Sequence, residues 1–200
     1  MPRKKCQAFG VKSEKKLHRI ENIYVINLER AQSRWAKMEQ ELNHILDSSG
    51  LGLLNMTERH IAVDANEFTE EPNSDIKIDP FYTLYDQLFV EPQPLTIPSK
   101  LELNKPIRMS RAECAVARSH INVWEQIAAS DHEYVLILED DVWFHSGFAR
   151  YLDKVWNEIV TISETKGKFD LLYLSYHEVK HGAPKNILSK HLFRPVRGLW

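Results

Sequence analysis

The chain has only two cysteines, Cys6 and Cys114, in 200 residues. Two cannot build a disulfide framework, which excludes a disulfide-stapled scaffold and makes a reducing, cytoplasmic setting the natural expectation. An excess of one charge is also missing. Lys and Arg number 26 against 28 Asp and Glu, a formal net charge of −2, so no global attraction to nucleic acid or anionic membrane follows. Long apolar runs are absent. The longest strongly apolar stretch is Tyr134 to Leu138, far short of the roughly 20 residues a membrane-spanning helix needs. No Gly-rich phosphate loop, zinc-ligand spacing or G-x-S-x-G elbow occurs, which leaves kinase-like, zinc-enzyme and serine-hydrolase chemistry without support.

What is present suits a folded domain. A hydrophobic share of 43% and a charged share of 27% supply enough apolar surface for a core, and the length fits one sizeable α/β domain with a tail. Residues 1–20, opening MPRKKCQAFGVKSEKK, lack the apolar segment of a signal peptide. They read as a basic, flexible arm, with weak peripheral attachment to an anionic membrane face as the sharper alternative. Residues 21–200 read as the domain. Nine histidines would turn the chain net basic in mild acid.

The periodicities give an element order. Ile23 to Leu28 is rich in β-branched residues and reads as a buried strand. A helix follows, with Ser33 as its cap, Trp35, Met38, Leu42 and Ile45 on one face, and Ser48-Ser49-Gly50 as its stop. A short strand from His60 to Val63 ends at Asp64. Residues 66–106 hold six of the nine prolines and read as a long loop. Ser110 and Glu113 have capping-box spacing and open a helix with Cys114, Ala117, Ile121, Trp124 and Ala128 as its apolar face. Tyr134 to Leu138 is continuously apolar, as expected of a central strand covered on both sides. A third helix, capped by Ser146, carries Phe148, Leu152, Val155, Ile159 and Ile162 inward, and Phe169 to Tyr176 reads as a further strand. This alternation argues for a mostly parallel sheet with helices on both faces.

Ligand sites of open α/β sheets lie beyond the carboxyl ends of the strands. The triplet Glu139-Asp140-Asp141 stands at such an end. Adjacent carboxylates repel one another, and a divalent cation relieves the repulsion. Mg²⁺ and Mn²⁺ take oxygen ligands, typically one or two carboxylates plus phosphate oxygens. Residues i and i+2 of an extended segment point the same way, so Glu139 and Asp141 share one side and Asp140 takes the other. A solvated acidic turn is the plainer alternative.

These segments together resemble glycosyltransferase family 25. Leu136 to Val142 is similar to its "LEDD" segment, and Ser110, Glu113, Ser119, His120 and Trp124 to its T-x-x-E-x-G-C-x-x-S-H-x-x-x-W helix. Val25 to Arg30 with Arg34 resembles its V-I-N-L-D-R-x-x-x-R opening, Ala62-Val63-Asp64 its "A-x-D-G", and Asp170 to Leu174 its "D-x-x-Y-L" strand. The likeness runs from about Ile23 to Trp200. Ala115, Val116, Ala65 and Glu29 depart from the pattern at positions of Gly, Cys, Gly and Asp. Alanine in place of glycine narrows close backbone approach and bears on substrate preference more than on fold. The family's domain continues past Gly198-Leu199-Trp200, so the resemblance implies a domain cut short at this end.

The resemblance implies a glycosyltransferase-A-like, nucleotide-diphosphate-sugar-binding fold. It also implies an inverting, metal-dependent transfer of galactose or glucose from a UDP-sugar to a glycan, lipopolysaccharide or protein acceptor. Mn²⁺ or Mg²⁺ is the implied cofactor. Asp141 is the implied direct metal ligand, and Glu139 belongs to the metal shell or the donor ribose. Asp140 supports either, or only the turn. Asn27, Leu28, Arg30, Arg34, Asp64 and Ser119 are implied donor contacts, against the plainer readings of Arg30 and Arg34 as surface residues of the first helical turn and of Ser119 as bonded to its own backbone. His120 contacts phosphate, orients a carboxylate or acts as base, against the plainer reading of a histidine satisfied at a helix–sheet contact. Glu113 is the other catalytic candidate, against a capping role. Trp143 is a candidate for stacking on a sugar. Two rivals stand beside this reading: a non-catalytic nucleotide-sugar-binding module, and a Mg²⁺-dependent phosphohydrolase-like domain.

Overall fold

The computed structural model describes residues 4–6, 20–47, 50–69, 78–84, 102–146, 148–166, 169–174, 185–189 and 192–195. The chain divides into two compact units, Met1–Pro72 with Arg111–Asn157, and Asn73–Ser110 with Glu158–Trp200.

In the first unit, strand β1 (Lys4–Cys6) lies within the segment expected to be a flexible arm and pairs in parallel with β3 (Ile45–Asp47). Strand β2 (Ile20–Asn27), β4 (Thr57–Ile61) and β7 (Tyr134–Glu139) form a three-stranded parallel sheet in the order β4-β2-β7. Among the described residues the central strand is therefore β2, and the apolar Tyr134–Leu138 run lies at an edge. In β2 both alternating sets are buried, Ile23 and Val25 on one face and Tyr24 and Ile26 on the other. In β7 only Leu136 and Leu138 are buried. An unbroken apolar run shows that a strand can be covered twice, but pairing on two edges is decided by its neighbours.

Helix α1 (Gln32–His44) begins one residue before the expected cap, after Ala31, and no side chain caps it. Met38 and Leu42 are buried. The helix gives way at Ile45, whose extended backbone starts β3, well before the Ser-Ser-Gly stop. Gly50 holds a φ of 89°, in the left-handed region that glycine enters without a Cβ penalty.

Helix α2 (Arg111–Ala128) starts directly after Ser110, as expected. Its packed stripe differs from the expected one. Cys114, Ala115, Ser119 and Val123 are buried, whereas Trp124 is 52% exposed. Val123 packs with Tyr24 and Ile26 of β2, and Ala62, Ile127, Val135 and Ile137 complete that cluster. The small Ala115 and Ser119 let the helix lie close to the sheet, so residue size, rather than hydrophobicity alone, sets the face. On the other face of the sheet, Arg59 of β4 places its guanidinium 5.3 Å from the ring centre of Trp35 in α1.

Helix α3 (Phe148–Lys166) buries Ala149, Leu152, Val155, Trp156 and Ile159, close to the expected stripe. In the second unit, β5 (Phe81–Thr83) and β6 (Pro106–Arg108) pair antiparallel across the proline-rich segment. Strands β8 (Lys185–Ile187) and β9 (Phe193–Pro195) form a second antiparallel pair. Residues 169–174, expected in a strand, are not in one, and Leu171 and Tyr173 are 59% and 77% exposed. Ser175 and Tyr176, and the loop aromatics Tyr85 and Phe89, lie outside the described residues. Among the described residues no helix is long and apolar enough to cross a membrane.

Candidate active site at the carboxyl rim of the sheet

Parallel pairing aligns Asn27 with Ile61 and Ile26 with Glu139. All three strands therefore end on one rim, which gathers the β2–α1 turn, the segment after β4 and the acidic triplet after β7. Every sequence-predicted site residue belongs to these three places, to the start of α1 or to α2.

Asn27 is the buried centre of the rim, at 1% exposure. Its Oδ1 accepts from Arg59 Nε at 2.8 Å and also from Arg59 Nη2. Its Nδ2 donates to Asp140 Oδ2 and to the Ala31 carbonyl. A side-chain amide has two lone pairs and two protons; here all four are engaged within the protein. The Asn27 carbonyl accepts from Ala62 N at 3.0 Å, tying the turn to the end of β4.

Asp140 is compensated. Its side chain is 8% exposed and lies 3.1 Å from Arg34 Nη1, in addition to the Asn27 contact. Arg34 thus meets a carboxylate of the triplet. Arg30, 65% exposed, pairs with Asp64. This hydrogen bond holds the Asp64 carboxyl below the usual carboxylate range, aided by the Asn66 amide, which donates to Asp64 Oδ1 at 2.9 Å. The Arg30 guanidinium is raised in turn. The Leu28 carbonyl accepts from Ala31 N and from Arg59.

Ser119 is 2% exposed. Its hydroxyl donates to the Ala115 carbonyl at 2.8 Å and accepts from Val63 N at 2.9 Å. It joins α2 to the segment that leads to Asp64. At the next residue, His120 Nε2 lies 3.1 Å from Glu139 Oε1, and its ring centre is 6.2 Å from that of Trp124. An ionised carboxylate only accepts, so Nε2 is the donor in this contact. Glu113 is exposed in the first turn of α2, about 10 Å along the helix axis from His120.

Asp141 and Trp143 are exposed, Trp143 at 93%. The triplet is thus divided three ways: Glu139 to His120, Asp140 to Asn27 and Arg34, Asp141 to solvent. Among the described residues no three His, Cys, Asp or Glu side chains are gathered as a metal cage. The donor chemistry of Asp141 and Glu139 still fits a hard cation, because one or two carboxylates suffice where phosphate oxygens complete the shell.

Arg59 is the residue that sequence reasoning missed. The strand expected over His60 to Val63 runs instead over Thr57–Ile61, and this shift is what puts Arg59 in the middle of a strand that leads to the rim.

The family described as "Glycosyltransferase family 25 (LPS biosynthesis protein)" matches residues 20–192. A "Glycosyltransferase 25 family member" of Aedes aegypti is 28% identical over 177 residues, 85% of this chain and 23% of that protein. One of Anopheles gambiae is 29% identical over 189 residues, 90% of this chain and 26% of that protein. A Rattus norvegicus protein named "Probable inactive glycosyltransferase 25 family member 3" is 30% identical over 71 residues, 36% of this chain and 12% of that protein. The chain spans about a quarter of the length of the two insect relatives. No solved structure matches it. With the family pattern running through both the sheet and its rim, the chain belongs to glycosyltransferase family 25.

Proposed function

We propose that the carboxyl rim binds a UDP-sugar and that the protein transfers its hexose, galactose or glucose, to a hydroxyl of a glycan, lipopolysaccharide or protein acceptor, with inversion. The observation that carries this reading is the division of the acidic triplet. Asp140 is neutralised and held from beneath, while Asp141 has no partner among the described residues and faces solvent at the end of a parallel strand. An unpaired carboxylate beside two engaged ones suits a cation that arrives with a diphosphate. Asp141 would hold Mn²⁺ or Mg²⁺, with Glu139 Oε2 in the same shell. When bound, the ion neutralises charge that builds on the leaving diphosphate.

The remaining work falls to the chain's own residues. His120 takes the proton of the acceptor hydroxyl at Nδ1, because Glu139 fixes the tautomer by accepting from Nε2. Arg30 and Asp64 line the donor side of the rim, and Trp143 offers an exposed ring to a sugar. No step is assigned to Glu113. Asn27 and Ser119 spend their polar groups inside the protein and serve by shaping the rim.

The test is calorimetric titration of UDP into the chain with Mn²⁺ and then with EDTA, repeated on Asp141→Ala. Metal-dependent binding that is lost in the variant is the expected result. Equal binding by a folded Asp141→Ala chain would remove Asp141 from the site. A second reading, a nucleotide-sugar-binding module without turnover, draws on the rat relative's name. Metal-dependent UDP binding without transfer or hydrolysis of any UDP-hexose would favour it.

A further inference from the structure

Arg59 has no assigned role, yet it is the most connected side chain of the rim. It enters from the neighbouring strand β4, in register with Val25 and so on the same face as Asn27. Two of its nitrogens converge on Asn27 Oδ1. Its Nη2 also reaches the carbonyls of Leu28 and Glu29, each at 3.3 Å. Nη1 lies 3.5 Å from Gln32 Oε1. Its charged plane rests on Trp35. The rigid guanidinium fork thus spans the strand end, the turn and the first two turns of α1.

This arrangement has a directional consequence. An amide whose oxygen faces two arginine nitrogens must turn its NH₂ the other way, and here that group meets Asp140. The turn that Arg59 holds by its carbonyls also delivers Arg34 to the same carboxylate. Both partners of Asp140 are therefore set by a residue that does not touch it. Asp141, the next residue, inherits its position from that anchored neighbour. We propose that Arg59 is a positioning residue: acting through Asn27 and the β2–α1 turn, it holds Asp140 so that the Asp141 carboxylate stands ready for a metal–diphosphate ligand. The ligand in this statement rests on the function proposed above; the orienting chain from Arg59 to Asp140 does not.

The test is a double-mutant cycle on the whole chain, read by titration with Mn²⁺ and UDP. Arg59→Lys keeps the charge and loses the fork. It is expected to weaken Mn²⁺–UDP binding roughly tenfold or more, the usual effect of removing an outer-shell partner. In the Asp140→Asn background the same change is expected to do much less. Equal losses in both backgrounds, or wild-type affinity in Arg59→Lys, would overturn the proposal. A purely structural role predicts a lower melting temperature with unchanged affinity of the folded chain. A wild type that binds no Mn²⁺–UDP would instead sink the proposed function. The positioning would then be read from the Asn27 side-chain amide in a ¹⁵N spectrum: Arg59→Lys should shift it and speed its exchange, and an unmoved signal in a folded variant counts against the idea. If Arg59→Lys does not fold, Trp35→Leu removes the ring beneath the guanidinium and is expected to move both readouts in the same direction; no movement in either is again a refutation.

Discussion

The buried amide of Asn27 donates to the carboxylate of Asp140, 113 residues further along the chain. This single contact joins the end of the central strand to the acidic turn of its neighbour. Replacing Asn27 by Ala would leave the Asp140 carboxylate and the Arg59 guanidinium each short of a partner at a position where the amide itself is 1% exposed. Stranding buried polar partners costs about 1–3 kcal/mol, and more where they are charged. Asn27→Ala is therefore expected to lose at least about 2 kcal/mol in urea unfolding. A loss below about 0.5 kcal/mol, the range of ordinary surface changes, would show that the contact carries little.

Ser119→Ala tests the second tie of the rim. The hydroxyl accepts from Val63 N at 2.9 Å inside the protein, and alanine offers that N–H nothing. The expected destabilisation is about 1–3 kcal/mol. Amide exchange at Val63 should accelerate in the variant, while a Val63 amide that stays protected would mean that another acceptor takes over.

The packed face of α2 predicts a contrast between adjacent residues. Val123 is 0% exposed against β2, whereas Trp124 is 52% exposed. Val123→Ala is expected to cost about 2 kcal/mol from lost burial and the cavity left behind. Trp124→Ala removes a far larger side chain and is expected to cost less than about 1 kcal/mol. Thermal or urea unfolding of the two variants decides; the reverse order would restore the face expected from periodicity.

Arg30 and Asp64 supply a pH signature. The folded Asp64 carboxyl is held below its ordinary value by Arg30, so its unfolded form binds protons more readily. The pairing is fully present above the ordinary carboxylate range, near pH 4, and is lost as pH falls through the lower folded value. A carboxyl ¹³C titration should find Asp64 below the ordinary aspartate value, and Arg30→Gln should return it toward that value. An Asp64 that titrates normally in the parent chain would mean that the pair does not persist in solution.

Much of this fold is written in local pattern. The buried β2 strand, the start of α2 after Ser110 and the inward stripe of α3 follow from side-chain spacing alone, because period and burial are coupled in any amphipathic element. The acidic triplet at a strand end was legible for the same reason. The strand expected over Phe169 to Tyr176 was not found over residues 169–174. Its apolar composition allows a strand, but a strand needs a paired edge that composition does not supply.

By itself, the sequence determined the three helices over most of their length, the extended β2 and β7 segments and the strand end that carries the acids, since those depend on neighbours a few residues away. Tertiary structure alone decided that β2 rather than β7 is central, that α2 packs on Ala115, Ser119 and Val123, and that the three carboxylates have three different fates. Hydrogen-bond capacity is met between groups distant in the chain, such as Arg59 with Asn27 and Asn27 with Asp140. No local spacing encodes those meetings, because they arise only when the strands stand side by side.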